Sequence, residues 1–157
     1  MKHLAISLFF LFSIPYIYSQ SLSIQWQECF GGSDWDQTSD IIYDEQGNIY
    51  ILGLTTSTDG DISFNNGGCD VWLVKTNQNG EIVWEKSFGG SNWDMGSKIF
   101  ELDDEIILMN VAGSEDGDIS NAKYDGSNIW ITKIDTSGSI IWDSIYGGNG
   151  IDEIRNA

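Results

Sequence analysis

The chain of 157 residues contains a single histidine (His3), a single proline (Pro15) and two cysteines. Seven residues are basic against 24 acidic, a net charge of −17. With no histidine beyond position 3, the body of the chain offers no Ser-His-Asp or Cys-His catalytic arrangement and no histidine-ligated metal. The shortage of positive charge argues against nucleic acid and anionic membranes as partners, whose phosphates would be repelled over most of the surface. No stretch shows helical periodicity, and no apolar run reaches the ~20 residues that a membrane-spanning helix needs.

The run from Leu4 to Ile14 is apolar except for Ser7 and Ser13, follows Lys2 and His3, and is broken by Pro15. A charged start, a short apolar segment and a small residue at Ser19 identify residues 1–19 as a secretory signal peptide, with cleavage expected between Ser19 and Gln20. No lipobox cysteine follows. Export would remove Lys2 and leave six basic residues against 24 acids, a net of −18. The expected location is therefore secreted, at the cell surface or in the periplasm, without stable membrane insertion after cleavage.

What the chain does have is repetition. Trp26, Trp84 and Trp142 stand 58 residues apart. Phe30-Gly31-Gly32, Phe88-Gly89-Gly90 and Tyr146-Gly147-Gly148 keep the same spacing, as do Asp36, Asp94 and Asp152. Asp59-Gly60-Asp61-Ile62-Ser63 returns one residue early as Asp116-Gly117-Asp118-Ile119-Ser120, which places a tighter turn after Asp103. Trp72 and Lys75 then return in register as Trp130 and Lys133. A fixed period of this length marks a repeat architecture, in which each unit buries its apolar faces against its neighbours. The repeat region is 20–157, with units 26–83 and 84–141 and a partial unit 142–157. Cys29 and Cys69 become Ser87 and Ser127 one period on, so the fold does not require cysteine at either place. A disulfide and two free thiols both remain open on sequence alone.

The sequence predicts one terminal strand at Ser23–Phe30, then a unit of short strands at Ser39–Tyr43, Ile49–Leu54, Val71–Val74 and a last one from Ile82 to Trp84 that closes it. Ser33–Thr38 reads as a polar loop, Asp44–Asn48 and Asn77–Gly80 as turns, and Thr55–Asp70 as a long polar loop. Several strands are continuous apolar runs, the pattern of a sheet covered on both faces. In an all-β chain with this period, that pattern leads to tandem four-stranded blades of a β-propeller. About two blades are present. By the repeat offset Ala157 corresponds to Ile99, in mid-strand, so an incomplete propeller is expected, whose open faces call for further blades from a longer chain or for self-association.

The run Trp84-Glu85-Lys86-Ser87-Phe88-Gly89-Gly90-Ser91-Asn92-Trp93-Asp94, the Asp-Gly-Asp element, Asn128 to Lys133 and Gly138 to Trp142 together resemble the SBBP-type secreted bacterial β-propeller repeats. The resemblance covers residues 26–157 and implies a propeller fold and export from a Gram-negative bacterium. It implies no shared catalytic motif. The glycine-to-tryptophan ends at Gly80 to Trp84 and Gly138 to Trp142 miss both the quinoprotein repeat and the sialidase Asp-box by one residue of spacing.

Glycoside hydrolysis needs two suitably separated carboxylates, and Asp34, Asp36, Asp59, Asp61, Asp94, Asp116 and Asp118 are the candidates. Most of them recur in both units. A residue needed in every unit commonly serves a turn through side-chain to backbone hydrogen bonds, so a structural role is expected for all seven and no catalytic residue is assigned. Asp59, Asp61, Asp116 and Asp118 are the calcium candidates, since hard cations want clustered oxygens, although the loops lack the remaining ligands of an EF-hand. No other cofactor is expected. Trp35 and Trp93 sit in polar loops and are the candidate ligand-facing aromatics, although packing of each ring under its own turn is the favoured reading. Trp26, Trp84 and Trp142 close successive units on their last strand, Trp72 and Trp130 sit mid-strand on the third, and all five suit packing between blades. The function expected is a secreted, non-catalytic binding or scaffold module with a protein or glycan partner. The alternative is a polysaccharide-active enzyme fragment.

Overall fold

The computed structural model of the chain describes residues 22–121 and 125–155. The expected signal peptide, residues 1–19, and its expected cleavage site lie outside the described residues. The described residues form eight strands in two four-stranded antiparallel meanders. The first sheet holds β1 (Asp36–Tyr43), β2 (Ile49–Thr55), β3 (Asp70–Thr76) and β4 (Ile82–Phe88) in the order β1-β2-β3-β4. The second holds β5 (Asp94–Leu102), β6 (Glu105–Ala112), β7 (Asn128–Ile134) and β8 (Ile140–Tyr146) in the order β5-β6-β7-β8. The all-β expectation holds: among the described residues there is no helix, and so none long and apolar enough to cross a membrane.

Local chemistry explains the hairpins. Asn77 and Asp135 open matching turns: each side chain accepts the N–H groups of the residues two and four positions on, and Gly80 and Gly138 take positive φ. Asp44 does the same for Gln46 and Asn48 in the five-residue β1–β2 turn. The β5–β6 turn is indeed the tighter one. It has two residues, Asp103 and Asp104, with φ of 52° and 63°, the left-handed pair that a two-residue hairpin demands. The repeat extends to irregularities: the ladder slips between Thr38 and Asp40 in the first sheet and between Gly96 and Lys98 in the second.

The sheets pack face to face, with β5 lying over β1, β2 and β3. Tyr50, Leu52, Val71, Leu73 and Phe88 of the first sheet share one core with Ile99, Ile106, Leu108, Trp130 and Ile134 of the second. The approach is close at Gly96, where a Cβ would stand 2.7 Å from Gly53 O. A smaller cluster of Ile62, Trp72 and Val74, with Ile51 and Phe30 against it, lies apart from this core in the first sheet.

Two expectations are corrected. Ser23–Phe30 is not a strand, because the first sheet already has its four places filled and no described strand offers residues 23–30 an edge. The segment keeps the repeat's side-chain logic even so: Trp26 donates its indole N–H to Gln78 O at 3.0 Å in the first sheet's β3–β4 turn, as Trp84 donates to Thr136 O at 3.2 Å in the second sheet's β7–β8 turn. Asp36–Thr38 belongs to β1 rather than to a loop, since β2 continues to Thr55 and pairs there with Asp36. A sheet therefore runs from Asp36 to Phe88, ten residues out of phase with the tryptophan that starts each sequence unit.

Candidate functional site

The Gly-Gly-Ser-x-Trp-Asp corner before each sheet gathers nearly all the residues singled out by sequence. Its successive backbone N–H groups are taken up by side chains. In the first unit Gly31 donates to Asp61 Oδ2 (3.0 Å), Gly32 to Asp36 Oδ2 (2.7 Å), Ser33 to Asp59 Oδ1 (2.7 Å) and Asp34 to Ser57 Oγ (3.0 Å). In the second, Gly89 donates to Asp118 Oδ2 (3.1 Å), Gly90 to Asp94 Oδ2 (2.8 Å), Ser91 to Asp116 Oδ1 (2.7 Å) and Asn92 to Ser114 Oγ (2.8 Å). Six of the seven weighed carboxylates thus serve as acceptors for the backbone N–H groups of this loop and of the turns beside it. Asp34 accepts no hydrogen bond among the described residues, is exposed, and is replaced by Asn92 one period on. Among the described residues, no group of three or more His, Cys, Asp or Glu side chains is arranged to hold a metal ion.

Trp35 and Trp93 are brought together by the packing of the sheets. Their ring centroids are 6.1 Å apart with planes tilted by 51°, and they are 50% and 52% exposed. Neither indole N–H has a hydrogen-bond partner among the described residues. Trp26, Trp72, Trp84 and Trp130 differ: each donates its N–H, Trp72 to Glu85 Oε2 at 2.9 Å and Trp130 to Asp143 Oδ2 at 3.1 Å. The position equivalent to Trp93 one period later is Ile151, so the fold does not demand tryptophan there.

Cys29 is exposed and Cys69 buried, and both are free thiols. Burial, with Asp70 and Asp94 beside it, pushes the Cys69 thiol up to about 12, so it stays protonated and unreactive. Asp70, beside it, escaped the sequence reading. It is fully buried at the start of β3, and one signal for it was available: its counterpart one period on is Asn128.

No protein-family model matches the chain, and no curated protein matches it.

Proposed function

We propose that the chain is a secreted, non-catalytic β-propeller repeat module of the SBBP type that binds or scaffolds, with the Trp35 and Trp93 rim as its ligand-facing surface. One contrast carries the reading: the carboxylates that acid–base chemistry would need are tied to backbone N–H groups in both repeats, whereas the paired tryptophans are half-exposed with unused indole donors. Tilted aromatic faces with a free polar edge suit the apolar face and hydroxyls of a neutral glycan chain, and an acidic surface disfavours a polyanionic one.

Support for blades comes from the regular stacking. One cleft of about 360 Å³ is lined by β1 (Gln37, Thr38), β5 (Met95, Lys98) and Ile154, as first strands around a common axis would be. A second, apolar groove of about 380 Å³ on the first sheet, between Trp26, Phe30, Ile41, Tyr43 and Trp72, suits a further unit of the same kind or a second copy of the chain. Neither cofactor nor calcium is needed for this reading.

The test is a neutral and charged glycan panel scored for both retention and product release. Retention without release, weakened at least tenfold in Trp35→Ala/Trp93→Ala protein, is expected. Turnover lost on replacing Asp36 or Asp94 by Asn would replace this reading with an enzymatic one.

A further inference from the structure

The joint between the two sheets holds an extra carboxylate that the fold does not need. Cys69 and Trp93 form an isolated parallel bridge there: the Cys69 N–H donates to Asn92 O at 3.0 Å and the Asp94 N–H to Cys69 O at 2.6 Å. Asp70 follows immediately. Its Oδ2 accepts the Asn66 N–H at 2.5 Å, while Oδ1 is buried with no hydrogen-bond partner among the described residues. Facing it are Asp94 from β5 and Asp118 from the β6–β7 loop, with the neutral Cys69 thiol alongside. The ion pairs of the described residues all lie elsewhere, so no cation among the described residues offsets this cluster.

The oxygens of Asp94 are fully used, Oδ1 by the Gly113 and Ser114 N–H groups and Oδ2 by the Gly90 N–H and the Ser114 hydroxyl. Asp118 Oδ2 is held by the Gly89 N–H. A Cβ at Gly89 would stand 2.5 Å from Asp70 Oδ1 and 2.7 Å from Asp94 Oδ2, so what lies between these two oxygens is the glycine rather than an ion.

The next joint is an internal control. Ser127 and Ile151 form the same parallel bridge, and the Asp152 N–H donates to Ser127 O at 2.9 Å. Asp152 takes the place of Asp94, and Asn128, a neutral amide of the same shape, takes the place of Asp70. The joint therefore works with an uncharged group at this position.

We propose that Asp70 is a proton-operated latch between the two sheets: with its carboxyl neutral the joint closes as it does at Asn128, and release of the proton to solvent loosens the Cys69–Trp93 bridge. Burial, opposed by the Asn66 hydrogen bond and reinforced by Asp94 and Asp118, raises the Asp70 carboxyl from 3.8 to about 6, which puts the transition in a range that an exported protein meets. The inference does not depend on what the tryptophan rim binds.

The experiment is amide hydrogen exchange of the chain between pH 4.5 and 7.5, corrected for intrinsic exchange. The opening constants of the Cys69 and Asp94 amides should rise by roughly 25-fold over this range, most of it below about pH 6, and that of the Asp152 amide should not. Asp70→Asn should flatten the rise, and Asp118→Asn should move its midpoint downward. A wild-type profile without the rise, or the same rise in Asp70→Asn, overturns the proposal. Should Asp70→Asn fail to fold, NMR titration of the Asp70 carboxyl in the wild type decides: a midpoint near 6 supports the latch, and one below 4.5 overturns it.

Discussion

The third strands of the two sheets are near copies in sequence but differ in burial. Every residue of β3 is buried, whereas β7 alternates between buried and half-buried. Val71 and Leu73 are enclosed, while their counterparts Ile129 and Ile131 remain partly open although equally apolar. The difference lies in the neighbours. The first sheet has the second against one face, and Phe30 and Ile62 pack with Trp72 and Val74; nothing described covers Ile129 and Ile131. An apolar strand records the neighbours it is suited to, and its burial records those it has. The repeat also diverges in charge where the sheets meet: Asp40 of β1 and Lys98 of β5 occupy the same repeat position and pair across the interface at 3.4 Å.

The contrast can be broken first at its largest residue. Trp130 is fully enclosed between the sheets, so Trp130→Ala should cost ~3–5 kcal/mol in urea unfolding. Trp72→Ala, beside the open groove, should cost clearly less. Equal losses would mean that the two faces are covered alike.

The second expected effect is the pH dependence at Asp70. Because its folded-state value is raised, its favourable contribution is complete below pH ~4 and is lost as pH rises through about 6, by ~3 kcal/mol in all. Asp70→Asn should be the more stable protein at pH 7.5 and show little difference at pH 4. Thermal unfolding at the two pH values checks the sign.

A smaller effect is expected at the β5–β6 turn, where two aspartates sit adjacent at positive φ. Asp103→Asn with Asp104→Gly should raise stability by ~1 kcal/mol, since that pair adopts the turn without strain or repulsion. The five-residue β1–β2 turn, already held by Asp44, should gain nothing from a glycine at Asn48. The smallest effect belongs to the half-exposed Asp40 and Lys98 pair. Asp40→Asn should cost ~0.5 kcal/mol at low salt and little at 1 M.

Much of this was legible in the sequence. The period, the meander of short strands, the turn positions, the shorter second hairpin and the structural use of the repeated aspartates are local or repeated features. Turn chemistry acts over four residues, and a side chain needed in every unit shows itself by recurring. The exposed tryptophans were marked by their polar surroundings, and the Asp70 to Asn128 change was visible, though nothing in one dimension told it apart from drift.

Only the tertiary structure decided the rest. A strand exists when a partner supplies its ladder, which is why residues 23–30 stay outside the sheets and Asp36–Thr38 join them. Trp35 meets Trp93 only because β5 docks on the first sheet. The surroundings of the Asp70 carboxyl are assembled from Asn66, Asp94 and Asp118, residues on three different segments, and desolvation and charge act through space without regard to order along the chain.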